Sequence, residues 1–382
     1  MFGSLSRRGL LGLFGAASLT AGAAGDAGAA PTRPGGGAAS GVTEEFARFV
    51  AAEAAADRFS GTVLLAHRGR PVLVRSHGMA DRASSRPNTE DTVFCLASIT
   101  KTFTALAVAQ LAERGALSFT DTLGHHLEGF PAEVADTVTI HQLLTHTSGV
   151  GRPAIGNGEL PTWSSHEEVI EGTVDIARRT PLQFTPGTRF GYSNDGYVVL
   201  GAIVARASGV PFVDHVRQQV FEPARMGRTG FPGRPEARAD AAVARPYWTQ
   251  PSGERVDLFS TDFAPYSYGP AGGAYTTAAD LLAFVRALTA GRLLGPALTA
   301  LVTAGKTPVP PADGSQVEFY GYGYRDAVVN GQRVWGHSGG APGTATRLDV
   351  FPDREWVAIV LSNYDTSVGP IVSRARELVT AR

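Results

Sequence analysis

Ser98-Ile99-Thr100-Lys101 is the segment whose residue types and spacing could do chemistry. Residues three apart at a helix start lie on one face, so Lys101 can reach the Ser98 hydroxyl. An alcohol attacks a carbonyl only when a base takes its proton, and a lysine in a partly dry pocket can have its pKa lowered enough to serve. Arginine cannot replace it. The chain carries 34 Lys and Arg together, yet its lysines are Lys101 and Lys306. The helix N-terminus adds positive potential where an oxyanion would form.

Tyr192-Ser193-Asn194 follows a Pro/Gly loop and precedes a helical pattern beginning near Tyr197, so the triplet belongs on a turn. There the phenol could shuttle a proton, and the Asn194 amide could hold a substrate carbonyl or Lys101. Gly336-His337-Ser338-Gly339-Gly340 lies on a late strand, where small residues let a substrate backbone approach for strand addition. His337 could donate a hydrogen bond or position Tyr192.

The elements that must position these residues begin with a helix capped at Thr43, carrying Phe46, Phe49, Val50 and Ala54. Two strands follow at 61–66 and 71–75. A helix from Ser98 to about Arg114 is apolar nearly all round, which predicts burial. Residues 119–299 read as mostly helical, and strand patterns return at 332–335, 344–351 and 356–362 before a terminal helix near 368–379. The fold expected is α/β: an antiparallel sheet flanked by helices, built from both chain ends (about 43–118 and 300–382), with an inserted all-helical region and the pocket at their seam.

In this order, Ser98-x-x-Lys101, Tyr192-x-Asn194 and His337-Ser338-Gly339 resemble the three boxes of class C β-lactamases and serine D-alanyl-D-alanine carboxypeptidases. The resemblance spans about residues 43–380. Leu143-Leu144-Thr145-His146-Thr147-Ser148-Gly149 and the segment from Ala271 to Asp280 resemble further stretches common in this superfamily, including its esterases. It implies a β-lactamase/transpeptidase-like fold, Ser98 as acylated nucleophile, Lys101 as its base or electrostatic partner and Tyr192 as general acid/base. Asn194, His337, Ser338, Gly339 and Gly340 would bind substrate, with an oxyanion hole from the N–H groups of Ser98 and Gly340. The third box departs from the Lys-Thr-Gly of true class C β-lactamases, and His at this place resembles certain exported carboxypeptidases and many esterases. A carboxypeptidase needs a cation for the substrate's terminal carboxylate, for which Arg325 and Arg333 are the candidates.

A 382-residue chain, 43% hydrophobic and 18% charged, has the composition of a folded protein, and its net charge of −1 offers no field for nucleic acid. Residues 1–30, with Arg7-Arg8 before an apolar Ala/Gly-rich run and small residues at Ala27 and Ala29, read as a twin-arginine export signal rather than a stable membrane anchor. Residues 31–42 read as a Pro/Gly linker. The single Cys95 sits among apolar neighbours and reads as a small buried hydrophobe.

Three rival readings are weaker. Gly336–Gly340 also fits a G-x-S-x-G nucleophile elbow, but no His follows position 337 and Pro342-Gly343 interrupts the helix that should come next. His125, His126, His141 and His146 cluster in sequence without a metal-ligand pattern, so no metal and no cofactor is expected. A penicillin-binding-like protein that binds peptidoglycan or a partner without turnover would not need intact Ser98, Lys101 and Tyr192. The expectation is an exported, monomeric serine hydrolase that takes a small peptide, β-lactam or ester, most like a D-alanyl-D-alanine carboxypeptidase, with esterase or transacylase as the alternative.

Overall fold

The computed structural model describes residues 36–151, 162–310 and 318–381. Residues 1–30, which read as an export signal, and the first residues of the expected linker lie outside them. The first helix, α1 (Gly36–Ala55), starts ahead of Thr43 and takes up the second half of the expected linker. Phe46 and Val50 anchor it in the core. Once a helix is nucleated, each added residue costs little. Thr43 therefore sits inside the helix and donates to the Ser40 carbonyl at 2.9 Å instead of capping.

Both chain ends build one sheet, as expected. Its strands are β1 (Gly61–His67), β2 (Arg70–His77), β3 (Thr307–Val309), β4 (Glu318–Tyr320), β5 (Arg325–Val329), β6 (Gln332–Ala341), β7 (Thr344–Phe351) and β8 (Trp356–Ser362). They lie in the order β2-β1-β8-β7-β6-β5-β4-β3, each pairing antiparallel. Strands β3 to β5, at one end of the sheet, are three to five residues long, too short for alternation to mark them in sequence.

Period-two alternation splits the sheet between two cores. Leu64, Ala66, Leu348, Val350, Ile359 and Leu361 join the large cluster shared with the helical region. Val63, Leu65, Phe351, Ala358 and Val360 face α1 and the terminal helix. The helices that bear on the site are α2 (Thr100–Glu113), α3 (Ile140–Leu144), α4 (His166–Arg179), α5 (Asn194–Ser208), α6 (Ala278–Thr289) and the terminal α7 (Gly369–Thr380). α2 is buried on every side from Thr100 to Leu111, as its sequence predicts. The inserted region is not wholly helical: Tyr247–Thr249 pairs with Arg255–Asp257, and Tyr275–Thr276 pairs with Phe94–Cys95. Among the described residues no single helix is long and apolar enough to cross a membrane.

Beneath α7, the carboxylate of Asp349 receives Arg347 Nε at 2.6 Å and Arg376 Nε at 2.7 Å; Asp349 and Arg347 are buried and Arg376 is nearly so. Burial alone would raise the Asp349 pKa, but the two guanidiniums hold it below the usual range. Removing the shared carboxylate strands two buried cations. Asp349→Ala is expected to lower unfolding free energy by about 3–5 kcal/mol, read from urea denaturation; an unchanged midpoint would show that the pair is dispensable.

Candidate active site

Ser98 sits in a 3₁₀ turn, Ala97–Ile99, that leads directly into α2. Ala97 is held at φ +45°, a left-handed conformation that costs a residue with a Cβ about 1–2 kcal/mol. The turn is clamped from both sides. Leu96 N–H donates to the Ala274 carbonyl at 2.8 Å, and Leu96 O accepts from Thr346 Oγ1 on β7 at 2.9 Å. Ala274 N–H in turn donates to Thr100 Oγ1 at 3.1 Å. Ser98 itself is half-buried, which leaves the turn open to the cleft.

Lys101 is fully buried and has three partners: Ser98 Oγ at 3.2 Å, Asn194 Oδ1 at 2.7 Å and the Ala271 carbonyl at 2.7 Å. Burial holds its pKa well below the ordinary lysine value. Two of the partners can only accept, so they take two of its N–H bonds; when the nitrogen gives up its third proton, the lone pair is left facing Ser98, whose hydroxyl can donate. The rings of Tyr192 and Tyr197 flank the nitrogen, with centroids 4.9 and 5.4 Å away.

Tyr192 immediately precedes Ser193, the N-cap of α5, whose Oγ accepts from Gly196 N–H at 2.9 Å. Burial pushes the Tyr192 pKa up to about 12, with Ser98 and Arg325 pulling the other way, so the phenol keeps its proton at neutral pH. Among the described residues its buried oxygen has only the Ser98 hydroxyl to turn to, and the two do not reach full hydrogen-bond geometry. An amine whose pKa is depressed and a phenol that keeps its proton, on either side of one hydroxyl, divide the base and acid roles between two groups.

His146 is a residue whose part in the site was not legible from sequence. Its backbone is left-handed at φ +60°. Its carbonyl accepts from Gly191 N–H at 2.8 Å and its Nδ1 accepts from Ser193 N–H at 3.1 Å, so it grips the chain on both sides of Tyr192. Its ring packs 4.2 Å from that of Tyr192. The Leu143–Gly149 motif was the available signal, but only the fold brings it to the phenol.

His337 is buried behind the cleft instead of reaching Tyr192. Its Nδ1 donates to the Ser338 carbonyl at 2.6 Å, and its Nε2 accepts from Tyr320 OH at 2.9 Å. Burial, with Arg325 and Lys101 nearby, holds its pKa well below 6.5. Ser338 lies opposite Arg347 across the β6–β7 ladder, one step round the pleat from its neighbours. Gly339 touches the nucleophile turn: a Cβ there would lie 2.1 Å from Leu96 O. Gly340, next along, is exposed, and a Cβ there would meet nothing within 4 Å. Of the two candidate carboxylate cations, Arg325 pairs with Glu318, and Arg333 pairs with Asp326 at 2.9 Å. Cys95 is buried, and burial pushes its thiol pKa up.

A single fold thus gathers Ser98, Lys101, Tyr192, Asn194 and the small residues of β6 at the seam of sheet and helices. The family model for Beta-lactamase matches residues 46–381, and the chain belongs to that family. It is a serine hydrolase of the beta-lactamase and penicillin-binding-protein kind. It is 31% identical over 334 residues to penicillin-binding protein 4* of Bacillus subtilis (strain 168), covering 84% of this chain and 72% of that one. It is equally 31% identical over 370 residues to the esterase EstB of Burkholderia gladioli, covering 85% and 92%. The crystal structure of a penicillin binding protein from Bacillus halodurans superposes with a TM-score of 0.72 at 28% identity, covering 89% of this chain and 99% of that one.

Two outcomes are expected. His146 and His337 are buried neutral, with folded pKa values below the 6.5 of the free side chain. The unfolded chain therefore binds more protons, and their contribution is complete above about pH 6.5 and lost as pH falls through the lowered values. The melting temperature should fall progressively below about pH 6, and His337→Gln should flatten that fall. Gly339→Ala should push β6 off the Leu96–Ala97 turn and cut kcat/KM for an aryl ester by about 10², the scale of a lost oxyanion donor, while circular dichroism stays unchanged.

Proposed function

We propose that the protein is an exported hydrolase that forms an acyl-enzyme on Ser98 with ester or amide substrates lacking an obligatory carboxylate. The observation that carries this reading is the Lys101 amine, fully buried, with two carbonyl acceptors at 2.7 Å and Ser98 Oγ at 3.2 Å. Lys101 takes the Ser98 proton as Oγ attacks the carbonyl carbon. The Tyr192 phenol protonates the departing oxygen or nitrogen and is replenished from Lys101. Asn194 holds the amine in place, and the Ser98 and Gly340 N–H groups receive the oxyanion. Water then attacks the acyl-enzyme, releasing the acid and restoring Ser98.

The preference for substrates without a carboxylate rests on charge. The third-box position holds a buried neutral histidine, and both candidate arginines already have carboxylate partners. The likeness to EstB, which this chain matches over 92% of its length, favours the same side. The carboxypeptidase reading rests on the likeness to penicillin-binding protein 4* and requires Arg325 to leave Glu318 for the substrate. Export by the N-terminal twin-arginine segment and action as a monomer complete the proposal.

Intact-mass analysis of wild type and Ser98→Ala, incubated separately with a fluorescent penicillin, a D-Ala-D-Ala peptide and a short-chain aryl ester, tests it. A Ser98-dependent adduct with fastest turnover of the ester is the expected result. Fastest turnover of the peptide would establish the carboxypeptidase reading. An adduct without turnover, or equal signal from Ser98→Ala, would leave a binding protein or another nucleophile.

A further inference from the structure

Outside the cleft, the fold assembles side chains whose sequence spacing fits none of the common metal motifs. Asp121 precedes a one-turn helix, Leu123–His126, whose end carries His125 and His126. One ligand atom from each of Asp121, His125 and His126 lies within 4.8 Å of the others. His126 Nε2 and Asp121 Oδ2 are 3.0 Å apart, with side-chain exposures of 7% and 24%. Two ligands on one tetrahedral zinc at bond lengths of about 2.0–2.2 Å stand about 3.3–3.6 Å apart, so this pair has to open by only a few tenths of an ångström. His125 is exposed, with its ring centroid 4.8 Å from that of His126, so rotation of that ring completes the set.

The carboxylate is oriented before any ion arrives. Asp121 Oδ2 also accepts from Ser118 N–H at 2.8 Å. Among the described residues no arginine or lysine forms an ion pair with Asp121, so a cation has no internal competitor there. The backbone is fixed as well: Leu123 N–H donates to Val138 O at 2.7 Å, and Ile140 N–H donates to Asp121 O at 3.0 Å.

We propose that Asp121, His125 and His126 form a surface site for a borderline-soft divalent cation such as Zn²⁺, with solvent completing the coordination. Two imidazoles and one carboxylate are the donor set such ions favour over Ca²⁺ or Mg²⁺, which take oxygen ligands. The site is structural in character and separate from the acyl-transfer residues. The loop that carries it is joined to the start of α3 by the Ile140 N–H bond to the Asp121 carbonyl, and α3 leads into His146, so occupancy would stiffen the approach to Tyr192.

The test uses untagged, EDTA-stripped protein titrated with ZnCl₂ by calorimetry and with CoCl₂ by visible absorption. The expected result is one Zn²⁺ per chain, cobalt d–d bands, and a melting temperature that rises with zinc concentration. His125→Ala and Asp121→Asn should each weaken binding at least about tenfold, with aryl-ester hydrolysis in metal-free buffer unchanged. His125 has an exposed side chain, so its variant should keep the wild-type circular dichroism. No saturable binding by wild type, or His125→Ala binding as wild type does, would overturn the site, whatever Asp121→Asn shows.

Discussion

The interaction on which the rest of the structure depends is the contact of the Lys101 amine with Ser98, Asn194 and the Ala271 carbonyl. A buried charged lysine would be costly, and a buried neutral one is a base with nowhere to send its lone pair except the serine. The three partners come from three places: the turn before α2, the first residue of α5, and the short Gly269–Gly272 helix. Any movement of one element against another would break the set. The same contact is therefore a packing constraint and a chemical device.

The nucleophile turn is held open by matching constraints from the sheet. Its left-handed Ala97 persists because Leu96 is bonded on one side to Ala274 and on the other to Thr346. Gly339 lets β6 come against that turn, and its small size is needed there for contact rather than for conformational freedom. The strain and the close approach occur at the same point, next to the hydroxyl that must stay accessible.

Around this centre the protein uses neutral aromatic and imidazole groups instead of charges. His146 and His337 both lie in the dry interior, each with a nitrogen fixed by a backbone group, and Tyr320 touches both rings. Charge is kept behind the sheet, in the Arg347–Asp349–Arg376 cluster, or paired off as in Arg325 with Glu318. Unpaired charge is thereby kept away from the place where proton positions decide the chemistry.

By itself the sequence determined the local facts: that Ser98 and Lys101 share a helical face, that α2 is buried, and that β7 and β8 span 344–351 and 356–362. These are set by spacing and periodicity, which act over a few residues. Only the tertiary structure decided which side chains meet across long separations. It put His146 against Tyr192, withdrew His337 to Tyr320, and paired Arg325 and Arg333 with carboxylates. Short edge strands such as Thr307–Val309, and the helical start at Gly36, escaped notice because neighbouring strands and an already formed helix, not their own residues, stabilise them. A side chain's role depends on what the fold brings to it and on how much water remains, and neither is written in its immediate neighbours.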